Sequence, residues 1–198
     1  VGLWKELETD MIFDVARDSQ TIDYAKEFIL KKGAGTSGLQ KKLTKHINED
    51  AIRNSKIEFG LVVTELPLLK PHFLFKEDIP KGKMNDFILA SASAFPAIHS
   101  TEIDGKEYID GGYTDVLPVK MALSKGATKI IAVYLEAVGN THPEDYENLE
   151  DFTLIQSKWD LGNFLVFNTK NSKRIIRLGY LDALKAFGVF EGSYFTFS

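Results

Sequence analysis

The stretch EYIDGGYTDVLP, from Glu107 to Pro118, sets a carboxylate, Asp110, between an alternating apolar run and the pair Gly111-Gly112. Ile103, Tyr108 and Ile109 tie that run to a core, so Asp110 falls at a strand end. The adjoining glycines can take backbone angles closed to other residues, and they leave room for a substrate or a second loop to come close. A carboxylate in this position has two uses. It can accept a neighbouring backbone N–H and cap its own turn, the Asx-turn that local sequence alone favours. It can also serve as a general base toward a bound substrate. A second acid, Asp115, raises a pair of glycosidase type, but spacing within one loop does not set the separation of two carboxyl groups, and nothing else in the chain supports it.

Two other constellations fall away on context. Gly33, Gly35 and Gly38 match G-x-G-x-x-G in GAGTSG, yet a dinucleotide site needs a strand ending at the first glycine, and the preceding YAKEFILKK is helical by period. A helix-to-helix loop is expected instead. Ser37 fails as a serine elbow because Leu39 stands where G-x-S-x-G needs glycine. His46, His72, His99 and His142 are scattered, without an i,i+4 pair or a carboxylate at ligand spacing, so no metal site is expected. His99, between two candidate site segments, is the least easily set aside.

The elements that must position Asp110 follow from periodicity. Leu3, Leu7, Met11 and Val15 mark one helical face, and Ile22, Ala25, Phe28 and Ile29 another. A third helix is expected from about Ser37 with Leu39, Leu43 and Ile47, and a short fourth after Asn48 with Ile52. KIEFGLVVTEL is dense in β-branched and aromatic residues and reads as a buried strand, with HFLFKE as its hairpin partner across LPLLKP. A helix from about Asn85 to Ala94 follows, then a hairpin in TEIDGKEYID turning at Asp104-Gly105. Pro118 opens a helix ended by Gly126, and TKIIAVYLE is a continuous apolar run of the kind covered on both faces. VGNTHPEDYENLED reads as a mobile acidic loop, and a helix from about Ser172 to Phe187 closes the chain. The fold class expected is α/β, in layers.

At 198 residues the chain is long enough for one substantial core, and a single domain is expected. Its parts are a mainly helical 1–56, strands and the site loop over 57–136, and a polar loop with a terminal helix over 137–198. The formal charge of −4 and the lack of a long basic run argue against a nucleic-acid partner. Lys41, Lys42 and Lys45 read as a solvated helix face. With no cysteine, disulfides and thiolate metal sites are excluded, which fits a reducing cytosol and a cytoplasmic location. Trp4 and Trp159 are expected in the core. The chain opens at Val1 inside an amphipathic segment, and a removed upstream part is expected.

Taken in order, ILASASAFPAI, EIDGKEYIDGGYTDVLPV and GATKIIAVYL resemble the second half of the patatin-like phospholipase family. IEFGLVVTELPLLKP is similar to that family's central strand and hairpin, and DLGNFLVFNTKNSKRIIRLGYLDALK to the closing segment of bacterial members. The resemblance implies a layered α/β/α fold around a mixed central sheet, present here in part. It implies acyl-ester hydrolysis by a Ser-Asp dyad, with Asp110 as the base and Gly111 and Gly112 forming the site loop. It implies no cofactor and no metal, a phospholipid or other acyl-ester substrate, and transient contact with a membrane surface.

Two departures stand out. The family usually has Asn before Leu-Pro, where this chain has Val116, so any hydrogen bond made by that Asn is missing. The glycine-rich oxyanion loop and the G-x-S-x-G elbow have no counterpart in the 198 residues. The expectation is therefore a C-terminal portion that carries the base, awaits its N-terminal segment for the nucleophile, and leaves a sheet edge exposed. The alternative is a non-catalytic module that keeps the fold to bind lipid or protein.

Overall fold

Leu61, Val62, Val63 and Thr64 are all buried, and this β-branched density makes the centre of a strand, β1 (Gly60–Glu65). The computed structural model describes residues 7–8, 11–12, 35–163 and 165–192; the two helices expected before residue 30, with Trp4 and Gly33, lie outside them. β1 pairs antiparallel with β2 (Lys70–Phe75) on one side and with β4 (Lys106–Asp110) on the other. β3 (Thr101–Ile103) completes a four-stranded antiparallel sheet in the order β2-β1-β4-β3. Pro71 lies inside β2, opposite Thr64. It is tolerated because β2 is an edge strand, where a missing N–H costs no ladder bond. The β3–β4 hairpin turns at Asp104 and Gly105, both at positive φ (52° and 78°), the pattern of a type I′ turn.

The helices cover this sheet. α1 (Ser37–His46) and α2 (Glu49–Asn54) follow one another, and Asn48 caps the second by accepting the Ala51 N–H at 2.9 Å. α3 (Met84–Ala90) lays Met84, Phe87 and Ala90 against Val63, Ile103 and Tyr108 to form the core. It stops at Ala90 rather than Ala94, because Ser93 turns away from the helix. Its hydroxyl donates back to the Leu89 carbonyl at 2.9 Å, and its carbonyl accepts from the Asp110 N–H instead. Serine competes with helix in this way through local bonds.

The contacts divide the described chain into two units: one holds 11–12, 35–116 and 138–141, the other 7–8, 117–137 and the described residues from 142 on. The second unit contains α4 (Val119–Ser124) and a parallel pair, β5 (Ile130–Tyr134) with β6 (Phe152–Gln156). It ends in α5 (Thr169–Ala186), whose Asn168 caps it through the Asn171 N–H at 2.7 Å. The chain is thus α/β, with antiparallel pairing in one sheet and parallel pairing in the other. β6 was hidden from sequence by the acidic residues before it. β5 departs from expectation: Ala132 is buried, but Ile131 and Val133 are exposed, as is Leu135 just beyond the strand. Among the described residues its only strand partner is β6, so the second covered face that its composition calls for is not supplied by them.

Ile103 is 2% exposed and joins the site hairpin to α3. Ile103→Ala is expected to cost about 2–5 kcal/mol, measured as a lowered urea midpoint at unchanged slope.

Candidate functional site

Asp110 is the last residue of β4 and stands opposite Val63 of β1. Its backbone N–H donates to the Ser93 carbonyl at 2.9 Å, so the strand end is held from both sides. The side chain caps a single 3-10 turn, Gly111–Tyr113, with Oδ1 accepting the Gly112 N–H at 2.8 Å. The Asx hydrogen bond that local sequence favours is therefore formed. It engages one oxygen, and Oδ2 has no partner among the described residues. Burial raises the Asp110 carboxyl above its usual 3.8, and the Gly112 N–H opposes that less strongly. Burial, then the charge of Asp110, also raises the Tyr113 phenol, so that ring presents a neutral hydroxyl.

Of the two uses expected of the glycines, close approach of another segment is the one found. Neither takes a positive φ. Gly111 is buried, and a Cβ on it would drive into the Val62 carbonyl and come within 2.6 Å of the Val62 Cβ. It is glycine because two backbones touch there. Gly112 supplies the N–H to Asp110, and its own carbonyl accepts the Asn140 N–H at 3.1 Å.

That last bond belongs to a brace that the sequence reading missed. Residues 138–141, expected to be a mobile acidic loop, sit on the site loop. The Asn140 carbonyl accepts the Val116 N–H at 2.8 Å, and Asn140 Nδ2 donates to the Tyr113 carbonyl at 2.9 Å. Gly139, at φ 153°, passes so close to the Gly112 carbonyl that a Cβ has no space. Val116 makes its tie through backbone alone, and an asparagine side chain reaches the same loop from Asn140. The Gly-Asn pair in VGNT was the available signal, as a turn dipeptide after an apolar strand.

A hydroxyl pair supports the loop from beneath. Thr64, fully buried on β1, meets Thr114 Oγ1 at 3.1 Å, and Thr114 Oγ1 donates to the Gly111 carbonyl at 3.0 Å. Asp115 is 7% exposed, and its N–H closes the turn on the Gly111 carbonyl, so it is withheld from solvent rather than offered as a second acid. Of the histidines, His72 bonds Glu65 at 2.7 Å, His142 bonds Glu144 at 3.2 Å, and His46 and His99 are exposed. Among the described residues no three His, Cys, Asp or Glu side chains gather as a metal site. Gly38 sits in the first turn of α1, where a Cβ would meet the backbone of Met11, so packing accounts for it.

The family described as patatin-like phospholipase matches residues 4–123, more than half of the chain, and the chain belongs to that family. It is 31% identical over 102 residues to the lysophospholipase NTE1 of Saccharomyces cerevisiae, a match covering 50% of this chain and 6% of that protein. It is 36% identical over 75 residues to the lysophospholipase NTE1 of Meyerozyma guilliermondii, covering 37% of this chain and 5% of that protein. The match thus spans about a twentieth of the length of these relatives. No solved structure matches.

Gly111→Ala is expected to lose about 1–3 kcal/mol, the cost of overpacking against a backbone that cannot retreat. Asn140→Ala should lose only about 0.5–1.5 kcal/mol, one hydrogen bond at an exposed position; equal losses in chemical denaturation would overturn the distinction. A carboxyl whose folded pKa lies above its unfolded one loses stability as pH rises from the lower value through the higher, and the full cost persists above both. Asp110→Asn keeps the acceptor for Gly112 without that cost. Its melting temperature should equal or exceed the parent's at neutral pH, with the difference closing as pH falls below the usual 3.8.

Proposed function

We propose that this chain supplies the base of a serine-type lipid acyl hydrolase, with Asp110 as the acid–base partner of a serine contributed by sequence outside these 198 residues. The observation that carries the reading is the Asp110 carboxylate itself: fixed at a strand end, raised by burial, with one oxygen held by Gly112 and the other uncommitted. In the proposed cycle Oδ2 takes the seryl proton as the seryl oxygen bonds to the ester carbonyl carbon. The tetrahedral intermediate collapses, the ester C–O bond breaks, and Asp110 returns the proton to the departing alcohol. Water then attacks the acyl-enzyme, giving its proton to Asp110, and serine is regenerated with release of the fatty acid. A raised pKa makes the carboxylate a better base than a solvated one.

Family membership supports the substrate class, an acyl ester of a phospholipid. The names of the relatives support a phospholipid bearing a single acyl chain. The exposed Ile131 and Val133 of β5, with Leu135 just beyond it, support a further strand or cover from elsewhere in the sequence, since a parallel strand of this composition is ordinarily buried. The alternative, a binding module in which Asp110 only caps its turn, draws on the same Gly112 hydrogen bond.

Hydrolysis of a short-chain chromogenic ester and of a lysophospholipid by the complete reading frame decides between them. In that protein Asp110→Asn should lower kcat by about 10²–10⁴-fold, the span of general-base contributions, with melting unchanged or raised. Retained activity in Asp110→Asn would falsify the base assignment. The 198 residues alone are expected to be inactive, because no oxyanion donors or nucleophile accompany the base; turnover by them would refute the division of labour.

A further inference from the structure

α5 carries five basic side chains and one acid, Asp182, and Asp182 is buried. The chain as a whole has a formal charge of −4, so this helix runs against the balance of the molecule. Lys170, Lys173, Arg174 and Arg177 recur at three- and four-residue spacing on one face, and all four are exposed. No carboxylate pairs with any of them among the described residues. Arg174 instead donates to the Asn171 side chain at 2.9 Å and to the Asp160 carbonyl at 2.9 Å. The Asp160 carboxylate is turned to its own loop, where it accepts the Gly162 N–H at 2.7 Å. Trp159, the residue before Asp160, is 46% exposed rather than in the core. Tyr180, one turn beyond Arg177, is 65% exposed, and Phe187, after the helix end, is 52% exposed.

We propose that the face bearing Lys170, Lys173, Arg174 and Arg177 docks the protein on an anionic lipid surface. Cations without a carboxylate partner among the described residues, with exposed Tyr180 further along the helix and Phe187 just after it, have the chemistry of an interfacial helix lying in a headgroup layer. Among the described residues no helix is long and apolar enough to cross a membrane. Nucleic acid shares the phosphate but not the apolar layer that would receive Phe187, and the acidic remainder of the chain repels a long polyanion.

Co-sedimentation with phosphatidylcholine vesicles, with and without phosphatidylserine, tests this without reference to turnover, so its outcome is independent of the Asp110 reading. Binding is expected only when phosphatidylserine is present. A cation near such a surface contributes about fivefold in partitioning, so replacing Lys170, Lys173 and Arg177 together by Ala should weaken binding about a hundredfold. The same replacement of Lys41, Lys42 and Lys45 on α1 should leave it unchanged. Circular dichroism melting checks that the α5 variant folds. Should it not fold, the unmodified chain decides the matter, because raising salt from about 0.05 M to 0.5 M must release it from the vesicles. Equal binding to neutral vesicles, equal loss in the α1 variant, retention at high salt, or tighter binding to a DNA duplex than to the vesicles would each overturn the proposal.

Discussion

Between Gly111 and the backbone of Val62 there is no space for a methyl group, and that close approach governs the geometry of the candidate site. The contact follows from the antiparallel register, in which Asp110 stands opposite Val63. A one-residue slip would carry the Asp110 side chain to the other face of the sheet and leave the glycine without its partner. With the register fixed, the chain must leave the strand immediately after Asp110. The 3-10 turn that follows brings the Gly112 N–H back to the carboxylate. The position of the acid is thus set by backbone contact on one side and a backbone hydrogen bond on the other, rather than by side-chain packing that small shifts could loosen.

Segments far apart in sequence hold this turn from three directions. The Ser93 carbonyl takes the Asp110 N–H, Thr64 reaches Thr114 from β1, and Asn140 closes over Gly112, Tyr113 and Val116. Each bond is worth little alone, on the order of 1 kcal/mol. Together they satisfy the polar groups of a tight turn that is itself partly buried, and such groups are costly only when left unpaired. A loop tied in this way behaves as part of the sheet.

What the sequence revealed tracks how local the physics is. The Asp104-Gly105 turn, the start of α2 after Asn48 and the buried run of β1 are written in adjacent residues, and the structure has them where they were expected. That something comes close to Gly111 was legible, but not that it is Val62, which is distant in the chain. The same holds for the 138–141 segment: polar composition reads as a free loop until one knows that its hydrogen bonds go to Gly112 and Tyr113. The end of α3 was misplaced for a related reason, since the pull on Ser93 comes from Asp110. β6 was missed because five residues of strand carry too few periods to stand out beside acidic neighbours.

A turn at this place needs only an acceptor, and this one has a carboxylate. Asparagine or serine would accept the Gly112 N–H equally well and would not resist burial. Aspartate does resist it: desolvation outweighs the stabilising hydrogen bond and leaves its pKa raised. The fold therefore bears a charge that the turn does not require, with one of the two oxygens left without a partner among the described residues. A capping role explains Oδ1 and the position of Gly112 but gives no return for that cost. The proposed base would account for both oxygens, since Oδ1 would be held still for Oδ2 to meet a proton donor in a fixed direction.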